Sequence, residues 1–349
     1  MKKHKHGGDI YSGEIRVDFS ANINPLGPPK SVQNAMCACA SRIQNYPDTE
    51  CRRLRRALAQ KEGVSEEYLI FGNGAAELIF SLAQGIKPKK ALLTTPSFAE
   101  YEEALTAAGC SCTYYNRRNG FQVEADYLDE IGEELDIAFL CNPNNPTGNL
   151  MEREFLKKVL DQCREKKVLL AVDECFLGFL EKPECYEMKG YLEEYPNLFV
   201  LRAFTKLYAM PGLRLGYGMC SDKQLLEQIQ RVMQPWSVSL PAQAAGEAAL
   251  TEDAYVETAR RLVKTERAYL ERELKQLGFT VFSGSVNYVF FQGPGNLAGE
   301  CKKQGFLIRD CGNYRGLSEG YYRIAVRTRK ENDALLAVLG TIMGTREDS

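Results

Sequence analysis

Over its first two thirds the chain alternates short apolar runs with longer amphipathic stretches, the period-2 and period-3.6 patterns of strands and helices in turn. Apolar runs at Tyr68–Phe71, Ala91–Thr95, Cys112–Tyr115, Ile137–Cys141, Val168–Val172 and Leu198–Leu201 predict strands. A further apolar run starts at Arg214, just past the Pro211-Gly212 turn. Between the runs, Glu50–Lys61, Leu78–Gln84 and Glu152–Lys166 carry apolar residues at helical spacing, and Pro96-Ser97-Phe98 opens another helix that carries Tyr101. Ser31 predicts the N-cap of a helix running to Ala40. Such alternation argues for an α/β fold, a mostly parallel sheet covered by helices.

Beyond about residue 235 the rhythm changes. Pro241–Leu250 and Asp253–Leu277 predict helices, followed by strands at Phe279–Phe282 and Asn287–Phe291. A helix at Asn296–Gln304, strands at Phe306–Arg309 and Tyr321–Arg327, and a last helix at Glu331–Met343 complete the chain. These elements read as a smaller α+β domain. The expected division is an arm and helix at residues 1–40, which contribute to the small domain and the site, a large domain at 41–237 and a small one at 238–349.

In open α/β sheets ligands lie at the carboxyl ends of the strands. Asn145, Asp173 and Lys206 each follow an apolar strand, and the Gly74 turn and Tyr101 lie just beyond strand ends too. All five therefore point toward one rim. Gly72-Asn73-Gly74-Ala75-Ala76-Glu77 feeds a helix N-terminus, whose free N–H groups and positive dipole end suit a phosphate. Lys206 sits among Phe204, Leu207, Tyr208 and Met210. In such surroundings an amine loses hydration of its charged form, its pKa falls, and it can attack an aldehyde to form a Schiff base. Thr205 beside it and Arg214 eight residues on could hold an anion of the same ligand. In Tyr321–Arg329 the side chains alternate, so Arg323, Arg327 and, if the strand continues, Arg329 share one face, suited to carboxylate or phosphate.

Composition narrows the chemistry. The only histidines are His4 and His6, which excludes a mid-chain histidine base, a serine or cysteine triad and a His-Glu-x-x-His metal site. The 12 cysteines lack zinc-knuckle spacing and read as reduced thiols of a cytoplasmic protein, with no metal expected. A net charge of -2 gives no reason to expect nucleic acid. No apolar run is long enough to span a membrane, and the charged start lacks the apolar core of a signal peptide.

Together these motifs resemble fold-type I enzymes dependent on pyridoxal 5′-phosphate (PLP), of the class I/II aminotransferase group, over nearly the whole chain. The resemblance implies that Lys206 is the Schiff-base lysine and that Arg214, Gly74, Ala75, Ala76 and Thr205 serve the cofactor phosphate. Tyr46 would reach that phosphate from the other subunit of a homodimer. Tyr101, ahead of Phe98, would stack on the pyridine ring, Asp173 would pair with its nitrogen, and Asn145, with a cis bond to Pro146, would meet the 3′ oxygen. Arg323 would take the substrate carboxylate, with Asn22, Arg327 and His6 also at the substrate. Two branches compete. Histidinol-phosphate aminotransferases commonly carry Asp-Glu-Ala-Tyr where this chain has Asp173-Glu174-Cys175-Phe176. His6-Gly7-Gly8, Phe19–Pro29 and the Arg323/Arg327 pair are similar to the L-threonine-O-3-phosphate decarboxylases of cobalamin synthesis, which act on a phosphorylated amino acid. The resemblance thus implies decarboxylation first and transamination second. A PLP-binding regulatory module without turnover is a third reading.

Overall fold

A computed structural model gives the structure of the chain and describes residues 6–347. Residues 1–5, with His4 and the basic start read as no signal peptide, lie outside them. In chain order the first half runs β1 (Val17–Asp18), α1 (Lys30–Cys39), α2 (Arg52–Glu62), β2 (Leu69–Asn73), α3 (Gly74–Ile86), β3 (Lys90–Thr95), α4 (Ala99–Ala107), β4 (Ser111–Asn116), β5 (Ile137–Cys141), α5 (Arg153–Glu165), β6 (Leu169–Asp173) and β7 (Leu198–Ala203). The second half runs α6 (Phe204–Leu207), β8 (Leu215–Met219), α7 (Lys223–Val232), α8 (Leu240–Ala249), α9 (Asp253–Gln276), β9 (Thr280–Phe282), β10 (Tyr288–Gln292), α10 (Leu297–Lys303), β11 (Phe306–Leu307), β12 (Arg309–Asp310), β13 (Tyr321–Ala325) and α11 (Arg329–Glu347).

Seven strands form the main sheet in the order β2-β8-β7-β6-β5-β3-β4. Only β8 runs against its neighbours; it is antiparallel to both β2 and β7. β5 is buried along its whole length, because both faces of the sheet are covered. On one face Ala138, Leu140, Leu170 and Val172 join a core with α5; on the other Ile137, Phe139, Ala171 and Phe199 join one with α3 and α4. That alternation along each strand is the pleat read directly. The carboxyl ends of β2, β3, β5, β6 and β7 share one rim.

A second, four-stranded antiparallel sheet has the order β12-β13-β10-β9. Its core gathers Leu270 and Leu274 of α9, Val289, Phe291, Ile324 and Leu335. The arm belongs to this unit: Phe19 is in the same core, and β1 pairs in parallel with β11.

Several local expectations change. Ser31 is not an N-cap, since α1 starts at Lys30 and the Ser31 hydroxyl bonds Glu252 instead. The run Phe306–Arg309 splits, its first half joining β1 and Arg309 joining β13. Helix α7, absent from the sequence reading, is capped by Asp222, whose side chain accepts from the Gln224 and Leu225 N–H groups.

Candidate active site

The shared rim opens into a cavity of about 310 Å³ where the two sheets face each other. Lys206 reaches it from α6, one short turn after β7 ends. Its amine is pushed down to about 8, by burial first and then by the cations of Arg323 and Arg214. Apolar surroundings were the expected cause; the two arginines add to it.

Asp173 ends β6 and is buried. Its Oδ2 accepts from the Tyr101 hydroxyl at 2.6 Å and its Oδ1 from the Cys175 N–H at 2.9 Å. Burial raises the carboxyl's pKa, while the Cys175 and Tyr101 hydrogen bonds and the Lys206 charge pull it back. Tyr101 is 2% exposed, and its ring stacks on Phe139 at 5.0 Å and 16°. One face and the hydroxyl are therefore already engaged within the protein. Phe98 stands edge-on to it, half-buried, and lines the cavity as well. Because α4 begins at Ala99 and not at Pro96, Phe98 precedes the helix and Tyr101 turns inward.

The glycine turn forms a cup at the start of α3. Gly74 has φ +79°, and a Cβ there would lie 2.5 Å from Arg214 Nη2. The missing side chain thus lets the guanidinium lie over the turn. Ala75, Ala76 and Thr205 line the cavity beside it. The Arg214 Nη1 donates to the Pro211 carbonyl at 3.2 Å.

Across the cavity Arg323 is buried, donating to Asn145 Oδ1 and, from Nη2, to the Ser20 carbonyl at 2.9 Å. Its Nε has no partner, and neither has the buried Asn22 Oδ1 in the same cavity. The Asn145–Pro146 bond is cis. His6 also lines the cavity, its Nδ1 3.3 Å from Glu100 Oε1.

Of the residues named from the sequence, Tyr46, Arg327 and Arg329 stand away from this cavity. Tyr46 is 79% exposed and stacks on Trp236 at 4.5 Å. Arg327 is absent from the cavity lining; its Nη2 donates to Glu331 at 2.7 Å and its Nη1 to the Asp18 carbonyl at 3.3 Å. Arg329, expected on the same face, begins α11 and pairs with Glu266. Conversely, the sequence reading missed Arg309 and Glu100. Arg309 is the register partner of Arg323 on the adjacent strand, is 5% exposed and lines the cavity. Among the described residues no cluster of three or more His, Cys, Asp or Glu could hold a metal ion, and no helix is long and apolar enough to cross a membrane.

The family model for aminotransferase class I and II matches residues 14–339. The chain belongs to this family. It is 39% identical to the threonine-phosphate decarboxylase of Salmonella typhimurium, over 97% of this chain and 96% of that one. It is 34% identical to the histidinol-phosphate aminotransferase of Anaeromyxobacter sp., covering 93% and 90%. The crystal structure of the histidinol-phosphate aminotransferase from Clostridium acetobutylicum superposes with a TM-score of 0.88 at 31% identity, over 94% of this chain and 99% of that one. That of the Sinorhizobium meliloti enzyme in complex with pyridoxal-5′-phosphate gives 0.86 at 21%, over 95% and 92%, and shares the fold. The architecture expected from the sequence, fold-type I, is the one observed.

Proposed function

We propose that this protein is a PLP-dependent lyase that decarboxylates a phosphorylated amino acid, L-threonine O-3-phosphate to aminopropanol phosphate, and that it works as a homodimer in the cytoplasm. One observation carries the substrate class: Arg309 and Arg323 stand side by side on paired strands and line the cavity that holds Lys206. A substrate with two anionic ends suits two such forks. The 39% identity to a threonine-phosphate decarboxylase supports the same choice.

The donor set fits the cofactor. Lys206 offers a buried amine with a lowered pKa. Gly74, Ala75, Ala76, Thr205 and Arg214 would hold a phosphate at the start of a 13-residue helix. Asp173 would face the pyridine nitrogen and Asn145 the 3′ oxygen. Phe98 replaces Tyr101 as the ring proposed to cover the cofactor, because Tyr101 is committed to Phe139 and Asp173. When bound, PLP supplies an aldehyde and a ring that accepts the electrons of the bond broken at the substrate Cα.

The protein's own residues do the rest. Arg323, braced by Asn145 and the Ser20 carbonyl, grips and orients the α-carboxylate. Arg309 and His6 receive the phosphate. Lys206, with its amine poised near neutrality, carries the proton to Cα. Arg327 belongs to the frame around Glu331 and is not proposed at the substrate. Tyr46 and Trp236, exposed and stacked, suit contact with a second copy, through which Tyr46 would reach the neighbouring cofactor phosphate.

Transamination of histidinol phosphate is the second reading, favoured by the 34% identical relative. Incubating the holoenzyme with O-phospho-L-threonine separates the two. Release of CO2 and aminopropanol phosphate without a 2-oxo acid is expected. Consumption only when 2-oxoglutarate is present would reverse the order.

A further inference from the structure

Glu100 is the cavity carboxyl that the reading above leaves without a task. It is the second residue of α4 and lines the cavity with His6, Arg309, Tyr314, Lys206 and Arg323. Its side chain is 13% exposed. Oε1 faces His6 at 3.3 Å, and Oε2 is buried with no hydrogen-bond partner. A buried polar atom without a partner is costly unless a ligand or water satisfies it. A carboxylate in this place is at odds with an anion-binding cavity, since it would repel the very group that Arg309 and His6 attract. A carboxylic acid is not: it has a proton to give.

We propose that Glu100 is a specificity residue that stays protonated at neutral pH and donates a hydrogen bond from its free oxygen to the phosphate end of the substrate. The inference rests on the reading of the site as one for a phosphorylated amino acid and adds which protonation state that site selects. A phosphate monoester has its second pKa at about 6, so at pH 7 to 8 it arrives as an acceptor with no proton to share. The neutral acid adds a donor to the guanidinium of Arg309 and the imidazole of His6 at that end of the cavity. The charged groups around Glu100 work in both directions. Burial is the main force pushing its carboxyl up, to about 8, and Glu103 on the same helix adds to this. Lys206 from α6 and Arg309 from β12 pull it down. His6 of the arm touches it, and the Tyr314 hydroxyl feels its charge. Arg323 faces the same space from β13.

The sign follows. Above about pH 8 Glu100 loses its proton in the free protein, so binding a phosphate must return one. Affinity then falls by about tenfold per pH unit, and proton uptake on binding approaches one per site. The test uses the holoenzyme and 3-phosphoglycerate, which has a carboxylate and a phosphate but no amine, so that neither amine titration nor turnover intrudes. Calorimetric titration from pH 6.5 to 9.5, in two buffers of different ionisation enthalpy, gives Kd and protons taken up together. Wild type is expected to show the falling affinity and a proton uptake that rises toward one per site as the pH is raised. In Glu100→Gln, whose amide donates at every pH, the slope and the uptake are expected to vanish while binding at pH 7 stays within about threefold of wild type. The same slope and uptake in Glu100→Gln would overturn this inference alone, as would a wild-type affinity flat through pH 9.5, which would mean a carboxyl spent only on His6. No binding of 3-phosphoglycerate to wild type at any pH would overturn it together with the two-anion reading of the site.

Discussion

Gly74→Ala places the smallest possible side chain in the proposed phosphate cup. Gly74 has φ +79°, so an alanine there costs about 1–2 kcal/mol of backbone strain. Its Cβ would stand 2.5 Å from Arg214 Nη2 and 3.0 Å from Cζ, inside contact distance, so the guanidinium must move away. A hydrogen bond to a charged group is worth about 1.5–3 kcal/mol, or roughly 10- to 150-fold in affinity. The two costs fall on different states. Strain lowers the stability of apoprotein and holoenzyme alike, whereas the displaced arginine weakens only the cofactor complex. Absorbance titration with PLP should show Kd raised by roughly 10- to 150-fold, and melting of the apoprotein should fall by a few degrees. A lowered apoprotein melt with cofactor Kd within twofold of wild type would refute the reasoning, because it would show strain at the turn without any grip on the phosphate.

Arg309→Gln removes the second cation from the substrate end. The kcat/KM for O-phospho-L-threonine is expected to fall roughly 10- to 150-fold, with cofactor affinity within twofold of wild type; equal losses in both would place Arg309 at the cofactor instead. Tyr101→Phe deletes the hydrogen bond that holds the Asp173 carboxyl down against burial. Asp173 then protonates at higher pH, so the acid limb of the kcat/KM profile should move up while the melting point changes little; an unmoved limb would leave Tyr101 a packing residue. Arg202→Met strands Glu174, whose Oε2 now accepts from Arg202 Nε at 2.9 Å and Nη2 at 2.7 Å and which is 1% exposed. Urea unfolding should show a loss of about 3–5 kcal/mol, and a loss under about 1 kcal/mol would mean that Lys189 and the Met188 N–H suffice for the remaining carboxylates.

The centre of the sheet was legible because β5 and β6 are buried along nearly their whole length and stand out as unbroken apolar runs; Ile137–Cys141 was bounded to the residue. The rim was legible for the same reason, since Asp173, Asn145 and Lys206 each mark the end of such a run. What the sequence hid was phase and partnership. The expected helix start at Pro96 and the observed one at Ala99 differ by almost one turn, enough to leave Phe98 outside α4 and set Tyr101 under Asp173. Arg309 looked like the polar end of one strand, and only the pairing of β12 with β13 sets it beside Arg323. Arg327, which alternation set on the face of Arg323, instead lies past the end of β13 at Ala325, and its guanidinium pairs with Glu331 one helical turn further on. Glu100 was hidden in an acidic helix start with Glu102 and Glu103, of which Glu102 pairs outward with Arg315. Helix α7 could have been found, since Asp222 is a good N-cap and Leu225, Leu226 and Ile229 recur at helical spacing.

Borohydride reduction of the holoenzyme, followed by peptide mass spectrometry, tests most directly whether the buried amine of Lys206 is where the cofactor is held. The account predicts one phosphopyridoxyl group per chain, on the peptide that contains Lys206, and none in Lys206→Ala. A label on any other lysine, or an equal yield from Lys206→Ala, would contradict it.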